Sequence, residues 1–589
     1  MTEAPYKNPN HIMTKSIEIS AAELIFAGFE GYNNAFKEVT KCAKNHFESQ
    51  DWYASQRDQA KRIELYEEWV WKVVDSLKTL LSDSSTDKNT WNKIKVAFNE
   101  VTKDFCDVEF TKTYFNSISR RIFKTEGINP EVEYIAIDLK PLQNITKTVP
   151  TICFRSGKDD LQSIVVDVLN NYQFDTHYAD INHTAEFISH QIQHQFLLQH
   201  PERDFHHIEV LQPIFYQNTR AYIVGKLVFN DLSTPFAIAL MNTEVGLKAD
   251  AVVLTPNDMS VLFGYTRSYF HVDLETVADM VVYLRELMPH KSVAELFTVL
   301  GRAKQGKTER YRHLMTHLEH SSDKFEIAAG DAGLVMAVFT LPSYNMVFKL
   351  IRDKFGYPKT ATREEVLARY QLVFKHDRAG RLIDAQEFRH LVFDLKRFNQ
   401  ELLDELKNTC AESIEIKGNQ LVIKHCYIER RITPLNLYLQ DNTGYLANKV
   451  LIDFGQCIKD LAANNIFPGD MLLKNFGVTR NERVIFYDYD ELCLLQECNF
   501  RKMPQAQTYD QMMSGDAWYY VAENDVFPEQ FTQFIGLEGE MLATFQKHHN
   551  DVMDYQFWNN LKEKHKDGAL IEFLPYREEL TNFVIPADA

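Results

Sequence analysis

Residues 466–492 read IFPGDMLLKNFGVTRNERVIFYDYDEL, and the order of polar residues in this stretch decides how the C-terminal half is read. Asp470, Asn475 and Asp488 stand five and then thirteen positions apart. Asp470 follows the helix-like LIDFGQCIKDLAANN and a turn, so its carboxylate projects from a loop near a helix end, where it can orient an attacking hydroxyl. Asn475 heads the short strand NFGV, TRNE turns the chain, and VIFYDYDEL returns as a strand ending at Asp488. That hairpin brings Asn475 and Asp488 to one metal ion bridging nucleotide phosphates. Asp490 reads either as a second metal contact or as a turn former.

The residues upstream fall in the order that a kinase requires. EIAAGDAGLVMAVFTLP places Gly330 and Gly333 between two strands, where the missing Cβ lets backbone N–H groups approach phosphate oxygens. Two glycines in a hairpin are usually structural, and neither G-x-G-x-x-G nor the Walker lysine motif is present. Position strengthens the reading. Sixteen residues after Gly333, Lys349 ends an apolar strand in MVFKLIRDKF, as a lysine neutralising the α- and β-phosphates should. Lys354 is the competing candidate, with a less apolar approach. The acid that pairs with Lys349 stays open among Glu364, Glu365 and Glu387. Asp453, Phe454 and Gly455 also spell D-F-G, but they precede Asp470 on a segment where Val450, Phe454, Ile458 and Leu461 mark a helical face. Asp453 is therefore expected on a solvated helix surface.

From about Ser16 to Phe123 apolar residues recur at helical steps, with Leu65, Trp69, Val73, Leu77 and Leu80 on one face. Between about Glu131 and Thr266 the pattern changes to short β-branched runs, YIAID, SIVVDVL, AYIVGKLVF, FAIALM and AVVLT, which predict a mixed sheet with helices. Helical spacing returns over residues 275–320, and a domain boundary is expected near residue 320. Strand, glycine loop, strand and lysine strand follow, then a helix around Ala361 to His376, the strand LVIKHCYIERR and largely helical sequence. Residues near Tyr427 to Arg431 are the expected connection beside the nucleotide base. His190 and His194 have zinc-binding spacing but lack the glutamate of H-E-x-x-H, so a polar helix face is expected. His313, His317 and His320 are likewise expected on a solvated face.

The chain has 589 residues, 45% hydrophobic and 25% charged, with a formal net charge of −18. This length predicts roughly two to four domains, and the negative charge disfavours nucleic acid and anionic membrane surfaces. No cationic segment followed by an apolar stretch opens the chain, and no membrane-spanning apolar run occurs, so the protein is expected to begin near Met1 and to be cytoplasmic. The eight cysteines show no C-x-x-C pair and are expected to be reduced and mostly buried.

Taken together, AAGDAGLVM, VFKLIRDKF, KHDRAGRLIDAQEF, YIERRITPLN, NIFPGDMLLKNFGV and FYDYDE resemble the bacterial isocitrate dehydrogenase kinase/phosphatase family, most densely from about residue 320 to 500. The resemblance implies an α+β protein: a regulatory domain of helices plus mixed sheet (1–320), then a bilobal protein-kinase-like catalytic domain (321–589) with a small lobe over about 321–430 and a helical lobe over about 431–589. It implies a bifunctional enzyme that phosphorylates a serine of NADP-dependent isocitrate dehydrogenase with ATP and Mg2+ (Mn2+ as the alternative ion), and also dephosphorylates it, at the branch between the citric acid cycle and the glyoxylate bypass. By motif, Ala328, Ala329, Gly330, Asp331, Ala332, Gly333 and Leu334 form the phosphate loop, Lys349 binds ATP, Asp470 is the kinase base, Asn475 and Asp488 hold the metal, and Asp384 serves the phosphatase. AMP is the implied effector of the regulatory domain. A small-molecule kinase and a pseudokinase scaffold binding a metabolic enzyme are the alternatives.

Overall fold

The helical spacing of the first quarter of the chain produces four helices, α1 (Ile17–Ser49), α2 (Trp52–Leu81), α3 (Lys88–Thr102) and α4 (Val108–Phe123). In α2 the expected face is correct for Leu65, Val73 and Leu77, which are buried, but Leu80 is exposed and Leu81 closes the face instead. The computed structural model describes residues 15–135, 149–155, 160–200, 203–230, 232–264, 266, 269–330, 333–513, 518–576 and 580–581. The YIAID run lies outside the described residues from Ala136 onward. The chain divides into two compact units, residues 1–38 with 64–146, and residues 39–63 with 147–589. In the first, Phe29 meets Phe110 and Tyr114 edge-on at ring separations of 5.5 and 5.6 Å, the arrangement that aromatic quadrupoles favour.

The larger unit opens with an antiparallel sheet of β1 (Thr151–Arg155), β2 (Phe205–Leu211), β3 (Phe215–Gln217), β4 (Arg220–Phe229), β5 (Ser233–Thr243) and β6 (Gly246–Val253), in the order β1-β2-β4-β5-β6 with β3 paired to β4. AYIVGKLVF, FAIALM and AVVLT are thus strands. SIVVDVL is not; it forms α5 (Leu161–Asn171). The Asp160 side chain accepts from Ser163 N and caps the helix, and Ile164, Val165, Val168 and Leu169 share one buried face. Tertiary burial here overrides the strand preference of β-branched residues. α6 (Ile181–Ile192) packs beside it in the same apolar cluster. His190 and His194 are exposed around a π-turn that ends α6, and no metal-type cluster forms around them among the described residues.

α7 (Pro256–Leu262), α8 (Val277–Leu287), α9 (Val293–Val299) and α10 (Ala303–His320) follow. The expected solvated histidine face holds for His313 and His320, which are exposed, although His313 also meets the Tyr344 hydroxyl at 3.1 Å; His317 is half-buried and contacts Asp323 and the Ser343 hydroxyl, each at 3.3 Å. A second antiparallel sheet comprises β7 (Glu326–Ile327), β8 (Met336–Leu341), β9 (Tyr344–Ile351), β10 (Gln386–Asp394), β11 (Ile414–Lys417) and β12 (Gln420–Arg430), in the order β10-β12-β9-β8-β7 with β11 on β12. α11 (Arg363–His376) and α12 (Gln400–Thr409) accompany it.

The remainder contains α13 (Leu435–Asp441), the long α14 (Tyr445–Ala463) and four further helices, α15 (Tyr509–Met513), α16 (Phe531–Phe534), α17 (Gly539–His549) and α18 (Tyr555–Lys566). Short strands complete it: β13 (Thr433–Pro434), β14 (Ile466–Phe467), β15 (Phe476–Val478), β16 (Val484–Phe486) and β17 (Cys493–Leu494). Val450, Phe454, Ile458 and Leu461 of α14 are fully buried, as their spacing predicts. Asp453, however, is not on a solvated surface. Arg381 Nη1 and Nη2 donate to its carboxylate at 2.7 and 2.9 Å, Arg483 Nη1 at 3.1 Å and Val484 N at 2.5 Å. Arg381 Nε also donates to Asp460 at 2.7 Å, so one wholly buried guanidinium bolts α14 to β16. The neighbouring Gly455 is required by packing, because a Cβ there would lie 2.1 Å from His549 Cδ2. The D-F-G string is thus an ion-pair anchor followed by a helix contact.

No disulfide forms among the described cysteines. Cys410, Cys426, Cys457 and Cys498 are buried, but Cys42, Cys106 and Cys153 are exposed, more than expected. No helix among the described residues is long and apolar enough to cross a membrane.

Candidate active site

Two backbone ladders bring the candidate residues together. β15 and β16 pair antiparallel with Phe476 opposite Phe486, which sets Asn475 and Tyr487 side by side at the open end of the hairpin, and Tyr487 N donates to Asn475 O at 3.1 Å. β14 pairs with β17, bracketing the loop that carries Asp470 against the one that carries Asp488 and Asp490. Gly469 sits at φ +78°, and a Cβ there would meet the Glu491 carbonyl oxygen at 2.6 Å. Glycine before Asp470 therefore answers both a left-handed backbone and a close approach between the two loops.

The Asp470 backbone carbonyl accepts from Asn475 Nδ2 at 3.2 Å, and its carboxylate accepts from Leu472 N at 3.3 Å. Burial, reinforced by Glu491, raises the Asp470 pKa above the ordinary aspartate value. Asp490 is buried and its Oδ1 meets no hydrogen-bond donor. Burial and then Asp488 push its pKa up to about 7. An orphaned carboxylate oxygen beside Asp488 and Asn475 is an all-oxygen donor set of the kind that a hard divalent cation takes, so the residues fit such an ion.

Lys349 lies on β9 opposite Tyr427 of β12, so Glu429, two residues on, shares its face of the sheet as a diagonal neighbour. Lys349 Nζ stands 2.7 Å from Glu429 Oε2 and donates to the Tyr487 carbonyl at 2.8 Å, linking the sheet to the Asp488 loop. None of Glu364, Glu365 or Glu387 is the partner. Glu364 is exposed, Glu365 closes a capping box with Thr362, and Glu387 accepts from Arg389 at 2.6 Å and contacts His425 at 3.1 Å. The one sequence signal for Glu429 is that it is the lone acid of its strand and directly follows the buried run of Cys426, Tyr427 and Ile428, which the reading of Tyr427 to Arg431 as a connection hid. Lys354 is exposed on a bend.

Glu429 is fully buried, and burial raises its pKa against the opposing pull of Lys349. Glu429→Gln removes the charge while keeping the shape. It is expected to weaken nucleotide binding by about 1.5–3 kcal/mol, the worth of a charged hydrogen bond, seen as at least about a tenfold rise in KM for ATP. Glu365→Gln serves as the control and should leave KM unchanged.

A cavity of about 1790 Å³ joins these groups. Lys349, Asp470, Asn475 and Asp488 line it, together with Ala328, Ala329, Gly330, Gly333 and Leu334 of the glycine loop. Asp331 and Ala332 lie outside the described residues. Gly330 takes φ +119° with open space where a Cβ would stand. Asp384 does not line the cavity. Ile383 N donates to Phe486 O at 3.1 Å and Tyr489 Oη donates to Ile383 O at 2.8 Å, which sets the Asp384 segment beside the Asp488 hairpin. The Asp384 carboxylate accepts from Arg310 Nη2 at 2.6 Å, and Arg310 itself reaches the cavity wall.

Phosphoryl transfer is the chemistry these groups suit, and the protein is a phosphotransferase. The chain belongs to the isocitrate dehydrogenase kinase/phosphatase family. A family model described as the isocitrate dehydrogenase kinase/phosphatase (AceK) kinase domain matches residues 323–578, and one described as its regulatory domain matches residues 22–322. An isocitrate dehydrogenase kinase/phosphatase of Xanthomonas axonopodis pv. citri (strain 306) is 42% identical over 563 residues, covering 95% of this chain and 97% of the relative. Proteins of the same name from Anaeromyxobacter sp. (strain Fw109-5) and Yersinia pestis (strain Pestoides F) are 39% and 38% identical, each over 96% of this chain and 98% of the relative.

Proposed function

We propose that this protein transfers the γ-phosphate of ATP to a serine of NADP-dependent isocitrate dehydrogenase and removes it again at the same site, thereby setting flux between the citric acid cycle and the glyoxylate bypass. The observation that carries the reading is that Lys349, Asp470, Asn475 and Asp488, drawn from separate segments, line one cavity in a chain of this family. The second sheet with its helices is the small lobe and the helices from α13 onward the large lobe of a kinase-like domain, with the boundary to the regulatory domain near residue 320. Lys349 neutralises the α- and β-phosphates while Glu429 holds its ammonium in place. Asp470 accepts the serine proton as the oxygen attacks phosphorus. Asn475 and Asp488 would hold Mg2+, with Asp490 beside them, and the ion supplies electrostatic stabilisation of charge on the phosphoryl oxygens. AMP acts on the regulatory domain, and the enzyme works in the cytoplasm.

Removal of the phosphate needs water and a carboxylate other than the one facing the serine, a role we assign to Asp384, which stands one residue from the cavity-lining Ile383 and is paired with Arg310 on the cavity wall. Asp384→Ala should suppress dephosphorylation of isocitrate dehydrogenase more than phosphorylation, measured as initial rates with labelled phosphate. Equal loss of both rates would reduce Asp384 to a structural partner of Arg310. Label accumulating on metabolites instead of on the dehydrogenase would overturn the substrate assignment.

A further inference from the structure

We propose that Cys42, His46 and Asp58 form a site for a thiophilic divalent cation of the zinc type, separate from the all-oxygen phosphoryl-transfer cavity. Cys42 and His46 lie one turn apart on the same face of α1, and Asp58 faces them from α2. One sulfur, one imidazole nitrogen and one carboxylate oxygen from the three residues all lie within 4.8 Å of one another. His46 Nε2 and Asp58 Oδ2 are already 2.9 Å apart. Bonds of about 2.0–2.3 Å around a tetrahedral zinc place ligand atoms about 3.3–3.6 Å from each other. The imidazole and carboxylate need only part slightly, and the Cys42 side chain, being exposed, can swing inward. Three protein ligands of mixed S, N and O character leave a fourth position for water, and binding releases the Cys42 thiol proton to solvent.

The backbone that carries these ligands is fixed. Asn242 Nδ2 donates to the carbonyls of Phe47 and Glu48 at 2.9 Å each, holding the end of α1. Arg62, one turn beyond Asp58, donates to the carbonyls of Tyr269 and Phe270 at 3.2 and 3.0 Å, so its charge is directed away into those contacts. The molecule contains its own counter-example in Cys153, His207 and Glu209, which gather equally closely. There Glu209 is ion-paired to Lys226 at 3.1 Å and accepts from the Tyr283 hydroxyl at 3.2 Å, so a cation would have to displace an ammonium already in place.

The test is titration of the chelator-stripped full-length protein with Co2+ in the presence of Mg2+. Thiolate-to-cobalt charge transfer reports only a site that contains cysteine, and the phosphoryl-transfer cavity offers none among its lining residues. The expected result is a charge-transfer band complete at one equivalent and displaced by one equivalent of Zn2+. Cys42→Ala, an exposed substitution, should abolish the band, and His46→Ala should weaken zinc binding by at least about tenfold. Cys153→Ala should leave both unchanged. Absence of the band, or its loss in Cys153→Ala with retention in Cys42→Ala, would overturn the proposal.

Discussion

Asp470→Ala is expected to lower phosphate transfer from ATP to isocitrate dehydrogenase by about 10²–10⁴-fold, the usual worth of a positioned general base, with nucleotide affinity nearly unchanged. The loss is expected to be chemical, because the loop does not depend on the carboxylate. Asn475 is tethered to the backbone carbonyl of Asp470, and the side chain itself accepts only a 3.3 Å contact from Leu472 N. A carboxylate with a raised pKa, in a partly buried site lined by other acids, is a better proton acceptor than one in water. Initial rates with labelled ATP, alongside nucleotide binding by calorimetry, separate the two quantities. A variant that phosphorylates at near wild-type rate would remove Asp470 from the mechanism.

The largest stability effect should come from outside the cavity. Arg381→Met is expected to destabilise the α14 region by about 3–5 kcal/mol, because it strands the carboxylates of Asp453 and Asp460 in the interior with Arg483 as their remaining guanidinium. Burial alone would raise the Asp453 pKa, but Arg381 and Arg483 outweigh it and hold the group down to about 2. The folded value is therefore depressed below the ordinary one near 3.8. Its contribution, roughly 2 kcal/mol, is complete above pH 3.8 and is lost as pH falls toward 2. Hydrogen exchange of the amides of Tyr445–Ala463, measured at neutral pH and in acid, resolves this element without assuming two-state unfolding of a multidomain chain. Unchanged protection in Arg381→Met would show that the network carries no stability.

The placement of the candidate residues was more legible than the long-range contacts that hold them. The Asn475 to Asp488 hairpin could be read because both strands, the turn and the polar ends lie within fourteen residues, so local propensity and tertiary structure agree. Lys349 was readable from its apolar strand, whereas its partner Glu429 was not. The two meet through strand pairing between residues eighty positions apart, and no local pattern records which strand will be the neighbour. Asp453 failed for the same reason, since helical periodicity placed it beside a buried face but could not show that Arg381 would reach across to it. SIVVDVL failed by a different route. Its β-branched residues favour a strand in isolation, and only the Asp160 cap and the four-residue apolar face decide for a helix.

The central claim, that one site bearing Lys349, Asp470, Asn475 and Asp488 runs both reactions, is tested most directly by following phosphate on isocitrate dehydrogenase through two phases. The protein is incubated with the dehydrogenase, ATP and Mg2+, after which ATP is withdrawn and ADP added. Phosphate should accumulate in the first phase and disappear in the second, and Asp488→Ala should abolish both. Gain without subsequent loss, or loss that survives in Asp488→Ala, would contradict the account.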